Sequence, residues 1–156
     1  MPVTKLKEFL DRHAVPYETI THSKTFTSQD TAEVAHVPGK ELAKTVMVWI
    51  DDRMAMAVLP SSSHIDLERL QKATGASRVV VATENEFRDV FPSCEVGAMP
   101  PFGNLWDMPV FVATTLAEDD QISFNAGNHT ELIRLSYADY ERLVQPTVLE
   151  FAAQLA

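Results

Sequence analysis

The chain has 156 residues, of which 46% are hydrophobic and 22% are charged, and its formal net charge at pH 7 is −9. This length and balance are typical of one compact globular domain spanning residues 1–156, and they exclude a disordered or fibrous chain. The negative charge argues against a protein that coats nucleic acid by neutralising its phosphates.

Charge is distributed unevenly along the chain. Residues 1–83 carry ten basic and ten acidic side chains, whereas residues 84–156 carry three basic and twelve acidic ones. A polyanion would therefore meet only the first half, which favours a short nucleic-acid end over an extended duplex such as DNA. No apolar run approaches the roughly 20 residues that cross a bilayer, and the one cysteine, Cys94, cannot form an internal disulfide. We therefore expect a cytoplasmic protein with neither a membrane nor DNA as its partner.

Two helices are predicted before the first strand. Apolar residues recur at helical spacing from Lys5 to His13, and Val15-Pro16 ends that helix. Thr27-Ser28-Gln29-Asp30 has the pattern of a helix N-cap with an acidic partner, and the helix that it opens runs to Pro38-Gly39.

The central segment predicts a hairpin and a third helix. Lys44 to Ile50 and Met54 to Leu59 are β-rich apolar runs separated by the turn Asp51-Asp52-Arg53, so we expect an antiparallel hairpin in the core. Ser63-His64-Ile65-Asp66 has the pattern of a capping box, with Ser63 as the cap of a helix that ends at Gly75.

The second half predicts short strands between capped helices. Strand-like runs cover 78–82, 109–114, 121–124 and 131–135, capping patterns lie at 83–86 and 136–139, and 148–155 is predicted as a last short helix. Because the strands exceed simple βαβ alternation, we predict an α/β fold. It is a single domain with a curved, barrel-like mixed sheet and surrounding helices.

Two unusual loops are candidates for a functional site. Gly97-Ala98-Met99-Pro100-Pro101-Phe102-Gly103-Asn104 places two adjacent prolines between glycines, which makes a stiff loop able to hold N–H groups in a fixed direction. Asn125-Ala126-Gly127-Asn128-His129 precedes a β-like run. If both loops line one pocket, they supply N–H donors and a titratable side chain. The alternative is two well-made turns.

His129 and Lys44 are the side chains most suited to chemistry. The five histidines have no metal-ligand spacing, so we expect no metal and no cofactor, and only His129 lies in a glycine loop. Lys44 opens an otherwise apolar strand. It either extends its ammonium group to water or holds a phosphate as a point charge. Ser63 is explained by capping. Cys94 either borders the pocket or is a small buried hydrophobic side chain, and no basic neighbour in sequence would activate its thiol.

Three motifs together are more specific than any one of them. Glu41-Leu42-Ala43-Lys44-Thr45, Gly97-x-x-Pro-Pro-Phe-Gly103 and Gly127-Asn128-His129 resemble the YbaK family of aminoacyl-tRNA deacylases. That family includes the editing domain inserted in bacterial prolyl-tRNA synthetases and its free-standing relatives. The resemblance extends from the Thr27 helix to Leu143 in the expected order.

The resemblance implies a mixed α/β fold that hydrolyses mischarged aminoacyl-tRNA in trans without a metal. By position, Lys44 is similar to the required lysine that engages the 3′-terminal nucleotide. Gly97 is similar to the loop glycine whose N–H faces the aminoacyl carbonyl. His129 resembles the histidine of the Gly-x-His branch, which includes the synthetase insertion and the alanine-clearing free-standing proteins. These three residues are the catalytic residues that the resemblance implies.

The resemblance also implies a pocket that admits small side chains and excludes larger ones. The expected substrate-binding residues are Phe26, Thr45, Met99, Pro100 and Gly127. An alanine-type or other small-residue substrate is favoured, although Thr45 stands where asparagine is common in alanine-clearing relatives.

The expected partner is the acceptor end of a mischarged tRNA, with an aminoacyl-tRNA synthetase as a further candidate. Basic residues of the first half are expected to meet the tRNA: Lys24, Lys40, Lys44 and Arg53. The alternative function is a non-catalytic binding module on the same fold, in which Lys44 and His129 are only structural.

Overall fold

A computed structural model of the chain describes residues 2–24, 31–33, 35–91, 94–95 and 98–154. These residues form the strands β1 (Glu18–Thr21), β2 (Ala43–Ile50), β3 (Arg53–Pro60), β4 (Ser63–Ile65), β5 (Val79–Val81), β6 (Val110–Ala113), β7 (Gln121–Asn125), β8 (Glu131–Ser136), β9 (Thr147–Leu149) and β10 (Ala152–Gln154). They also form the helices α1 (Pro2–Arg12), α2 (Leu67–Thr74), α3 (Glu84–Phe87), α4 (Thr114–Ala117) and α5 (Tyr137–Val144), with 3-10 helices at Arg88–Val90 and Gly103–Trp106. Residues 31–33 are helical as well.

The β2–β3 hairpin is the centre of the fold. Its strands pair without a bulge from Ala43 opposite Pro60 to Ile50 opposite Arg53. The five-stranded sheet has the order β5-β2-β3-β6-β9, with β3, β6 and β9 parallel and the other pairs antiparallel. A mixed sheet of this kind needs apolar cover on both faces, which the continuous apolar runs of β2 and β3 supply.

Alternation along β2 directs neighbouring residues to two different apolar clusters. Met47 belongs to a large cluster that includes Leu6 and Leu10 of α1, together with Phe102 of the proline-rich loop. Val48 belongs to a second cluster, which lies under α2. Because successive side chains of a strand point to opposite faces, the odd-numbered residues of β2 face the large cluster and the even-numbered ones face away from it.

A second, three-stranded sheet has the order β1-β8-β7 and is antiparallel throughout. It joins the central sheet where Leu42 and Ser123 form a parallel bridge, and the Ser123 N–H donates to the Glu41 carbonyl at 2.9 Å. The residues just before β2 therefore lie beside β7. This junction connects the start of β2 to the strand that leads into the Gly127–His129 loop.

The sequence predictions of the α/β class and of most elements are confirmed. The hairpin, the helix ending at Gly75 and the capping box of Thr83 and Glu86 all form as expected. Ser136 caps α5 by accepting the Asp139 N–H. The predicted N-cap at 27–30 lies outside the described residues.

Three local predictions differ from the structure. The helix predicted over 148–155 is wrong, because β9 pairs with β6 and β10 pairs with β4 around the fully buried Phe151. Ser63 is not a helix cap, since Asp66 accepts the Arg69 N–H and Ser63 belongs to β4. The third difference is strand β1, which the sequence patterns do not indicate. The described strands form three sheets, and they do not close into a barrel.

Among the described residues, no helix has both the length and the apolar character needed to cross a membrane.

Candidate active site

The proline-rich loop is tightly packed from Ala98 onward. Ala98 and Phe102 are fully buried, and Met99 is buried as well. The Tyr140 hydroxyl donates a 2.7 Å hydrogen bond to the Pro101 carbonyl. The Phe102 ring packs edge-on against the Tyr140 ring, with centroids 5.3 Å apart. The core therefore adds to the stiffness that the adjacent prolines give this loop.

Gly103 stands where the structure leaves no room for a side chain. A Cβ there would lie 2.6 Å from the Met108 carbonyl oxygen and 2.6 Å from a methyl carbon of Val110. Both distances are shorter than van der Waals contact, so glycine allows the 3-10 helix to pack against the start of β6. Gly97, at the other end of the loop, lies outside the described residues, as does Phe26.

The loop between β7 and β8 is fixed by its own hydrogen bonds. Gly127 is buried and has φ 110°, a backbone conformation that glycine adopts without steric cost. The Asn128 side-chain oxygen accepts the Thr130 N–H at 2.9 Å and the Thr130 hydroxyl at 3.1 Å. This bonding orders the backbone on both sides of His129, whose side chain is 14% exposed.

Glu95 joins the two loops. Its N–H donates to the Gly127 carbonyl at 2.9 Å, and its own carbonyl accepts the Ala98 N–H at 3.0 Å. Its carboxylate oxygen Oε2 accepts the His129 N–H at 3.2 Å and lies 3.8 Å from His129 Nε2. The two loops that the sequence singled out are therefore held together, as the pocket hypothesis requires.

The sequence gives Glu95 only a weak signal. It is one of twelve acidic residues in the second half of the chain, and it belongs to none of the three motifs that carry the family resemblance. Its place two residues before Gly97 is the feature that could have drawn attention to it. The contact that matters is with His129, far along the chain, and short-range spacing does not reveal such contacts.

Lys44 lies near the start of β2, opposite Leu59 of β3. It is half-buried, and this burial lowers the pKa of its ammonium group. Within the part of the chain that the structure describes, the ammonium group has no hydrogen bond or ion pair. A partly desolvated cation without a carboxylate partner is suited to bind an incoming anion.

Asn125 lies on the same face of the sheet as Lys44. Ser123 stands beside Leu42 in the bridge, and Asn125 and Lys44 each follow two residues later on adjacent strands. The Asn125 side-chain oxygen is buried and has no hydrogen-bond partner among the described residues. A buried amide oxygen without a hydrogen bond is unfavourable, because it has lost its bonds to water, so a ligand that donates a hydrogen bond to it would bind favourably.

Thr45 leaves β2 on the opposite face from Lys44. It lies on the side of Met47, and Met99 belongs to the same apolar cluster as Met47. Pro100 is buried next to Met99. Thr45 therefore faces the large apolar cluster, to which Met99 of the proline-rich loop belongs, whereas Lys44 lies on the face of Asn125.

The basic residues predicted to meet tRNA do not form one group. Arg53 pairs with Ile50 at the far end of the hairpin, about 20 Å along the strands from Lys44. Lys40 lies 3.5 Å from the Asp119 carboxylate, whose pKa is raised by burial. Arg53 therefore lies apart from Lys44, and its contact with tRNA stays a prediction.

Neither Cys94 nor Ser61 has the surroundings of an activated nucleophile. Burial raises the pKa of the Cys94 thiol to about 11, which keeps it protonated near neutral pH. The Ser61 hydroxyl donates to the Gly39 carbonyl at 3.0 Å, a structural role.

Comparison with known proteins identifies the family of the chain. The sequence model of the aminoacyl-tRNA editing domain family matches residues 22–143. That range contains Lys44, both loops and Glu95. The chain is also 26% identical over 152 residues to the Multifunctional Ser/Thr-tRNA deacylase ProXp-y of Escherichia coli (strain K12), covering 94% of this chain and 90% of that protein.

Solved structures show the same fold. A proposed trans-editing enzyme for prolyl-tRNA synthetase is similar with a TM-score of 0.82 and 15% identity over 97% of each chain. A hypothetical protein is similar with a TM-score of 0.85 and 18% identity, covering 96% of this chain and 99% of that one. The chain therefore belongs to the aminoacyl-tRNA editing domain family, and it is a hydrolase that acts on aminoacyl-tRNA.

Proposed function

We propose that this enzyme cleaves the ester bond of mischarged tRNA that carries a small amino acid, acting in trans and without a metal. The observation that carries the proposal is the junction at Glu95, which holds the proline-rich loop against Gly127 and His129. Lys44 lies on β2, next to the strand that leads into this junction. The proposed site combines the cation of Lys44, the imidazole of His129 and the rigid proline-rich loop.

The reaction demands little of the side chains because an aminoacyl ester is already activated. Positioning of a water molecule and an N–H donor at the developing oxyanion are sufficient, and one such donor contributes about 3 kcal/mol. We assign the donor to Gly97 and the orientation of the water to His129 or to the terminal ribose 2′-hydroxyl. Both loops are held by backbone hydrogen bonds, which supports such positioning.

Lys44 is proposed to bind the phosphate of the 3′-terminal nucleotide. Its ammonium group is half-buried and forms no ion pair among the described residues, so no carboxylate there competes with a phosphate. An ammonium group binds phosphate as a compact point charge. The nearby Asn125 oxygen, which lacks a donor among those residues, is suited to accept a hydrogen bond from the ribose or the aminoacyl group.

Small side chains are proposed as substrates because Met99 and Pro100 are buried in a tightly packed loop, and Thr45 faces the apolar cluster to which Met99 belongs. Steric exclusion rejects a larger side chain, whereas one methylene fewer changes binding by only ~1–3 kcal/mol. We propose an alanyl ester as the first candidate. Seryl and threonyl esters follow, since the similar E. coli protein is named for them.

We also propose a cytoplasmic location and weak intrinsic affinity for tRNA, with a synthetase as a candidate for supplying tRNA selectivity. The net charge of −9 supports weak binding, because long-range electrostatics oppose the approach of a polyanion.

A deacylation panel tests the proposal. Ala-, Ser-, Thr- and Cys-tRNA are incubated with the wild type, with Lys44→Ala, and with Lys72→Ala as a control. Lys72 is an exposed lysine of α2 that pairs with Glu68. We expect wild type and Lys72→Ala to clear at least one ester, with or without EDTA, and Lys44→Ala to be slower by about 100-fold.

Each alternative gives a different result in the panel. If no ester disappears faster than in buffer, the proposed substrate class is wrong and the binding-module hypothesis gains support. If Lys44→Ala is as active as Lys72→Ala, the role assigned to Lys44 is wrong. Loss of activity in EDTA, restored by adding a divalent metal, contradicts metal independence.

A further inference from the structure

The side chain of Glu95 makes contacts that its backbone does not need. The Glu95 N–H and carbonyl already tie its segment to Gly127 and to Ala98. The carboxylate is directed separately at His129, where one oxygen accepts the backbone N–H at 3.2 Å and lies 3.8 Å from the ring nitrogen Nε2. One oxygen thus contacts both the main chain and the ring of the same histidine.

Stability alone does not account for this carboxylate. The Glu95 side chain is 43% exposed, and ion pairs that open to water contribute little to folding because solvent screens them. The second half of the chain is already strongly acidic, so one more carboxylate there adds repulsion towards a tRNA substrate. A contact that stabilises little and opposes substrate binding is better explained by its effect on His129.

We propose that Glu95 is the positioning residue of His129, and this inference rests on the proposed deacylase function. Glu95 Oε2 fixes the main chain of His129 and holds one edge of its ring, so that the imidazole keeps one orientation towards the ester. The negative charge of the carboxylate faces the ring nitrogen Nε2 at 3.8 Å. The arrangement follows the general pattern in which a third group orients a catalytic base.

The proton balance of the step is simple. His129 takes a proton from the attacking water, and the water oxygen bonds to the ester carbonyl carbon. The bond from that carbon to the ribose oxygen then breaks, and the proton passes from the imidazolium to the ribose oxygen. The products are a free amino acid and uncharged tRNA, and the charge on His129 opposite Glu95 lasts only for the step.

A double-mutant cycle tests the coupling. Single-turnover deacylation of the ester identified in the panel is measured for wild type, Glu95→Ala, His129→Ala and the double variant. If Glu95 acts through His129, Glu95→Ala lowers kcat about tenfold in the wild type and hardly at all when His129 is already absent. KM changes little in either background. Equal effects in both backgrounds overturn the proposal.

Two further variants separate charge from geometry. Glu95→Gln keeps an oxygen that accepts the His129 N–H but loses the negative charge, so we expect an activity between wild type and Glu95→Ala. Glu118→Ala removes an exposed carboxylate from the same half of the chain and serves as the control for net charge. If Glu118→Ala lowers kcat as much as Glu95→Ala, a general effect of net charge explains the loss of activity, and the proposed contact does not. If Glu95→Ala does not fold, Glu95→Gln takes its place in the cycle.

A measurement that needs no turnover keeps this inference distinct from the proposed function. In ¹H–¹³C NMR spectra of the imidazole groups, the His129 signals should shift in Glu95→Gln and stay unchanged in Glu118→Ala. Unchanged His129 signals in Glu95→Gln overturn the inference even if the enzyme clears an ester. Shifted signals in a protein that clears no ester support the contact while the proposed substrate class fails.

Discussion

The β2–β3 hairpin and the junction at Glu95 hold their residues in different ways. The hairpin is a continuous ladder between two apolar clusters, and its geometry follows from local pattern and burial. The junction depends on a few hydrogen bonds between segments that lie far apart in sequence, one of them to an exposed carboxylate. We infer from this difference that the hairpin supplies the stability on which the proposed site depends, whereas the junction supplies its chemistry.

The largest expected effect is on stability, from Met56→Ala in the hairpin. Met56 is fully buried between Met47 and Val110. Its truncation leaves a cavity and should lower the free energy of unfolding by about 3 kcal/mol. Denaturant unfolding measures this loss, and deacylation per folded molecule should stay near that of the wild type. A large fall in specific activity at unchanged stability would contradict the division of roles between the hairpin and the junction at Glu95.

The reverse outcome is expected for His129→Ala in the junction. Removal of the proposed base should lower the rate by about 100-fold. The His129 side chain is 14% exposed in a loop that keeps its own Asn128–Thr130 hydrogen bonds, so its loss should cost little in folding. For His129→Ala we therefore expect a large fall in the single-turnover rate and a small change in the melting temperature, which is the reverse of Met56→Ala. Normal turnover together with a collapse of the melting temperature would make His129 a structural residue.

A smaller effect is expected where core and loop meet, at Tyr140. Tyr140→Phe removes the hydrogen bond to the buried Pro101 carbonyl and should cost ~1–2 kcal/mol in unfolding free energy. Tyr137→Phe is the matched control, because the Tyr137 hydroxyl is buried without a hydrogen-bond partner among the described residues. That change should be neutral or stabilising. If both variants lose the same stability, the bond to Pro101 is not what anchors the loop.

The hairpin could be predicted from sequence because its signals are local. Apolar β-rich runs on either side of Asp51-Asp52 were sufficient for the position of both strands. The 148–155 prediction failed for the opposite reason. Its apolar residues fit a helix, but pairing with β6 and β4, which no local pattern encodes, decided their conformation.

The candidate site could be predicted in part. Lys44 and both loops stood out by residue type, and the loops do meet. Glu95 did not stand out, since its partner His129 is distant in sequence and a lone glutamate before a loop has no spacing rule. The opposite orientation of Lys44 and Thr45 follows from strand alternation once β2 is known, and it divides a pocket that the sequence treated as one group.

The most direct test of the central claim is a crystal structure with a non-hydrolysable analogue of 3′-aminoacyl-adenosine 5′-phosphate. We predict that its phosphate lies within hydrogen-bond distance of the Lys44 ammonium group. Its acyl group should lie between the proline-rich loop and the Gly127–His129 loop. Binding of the analogue elsewhere, for example in the cavity lined by Trp49, Arg78 and Glu86, would contradict the account.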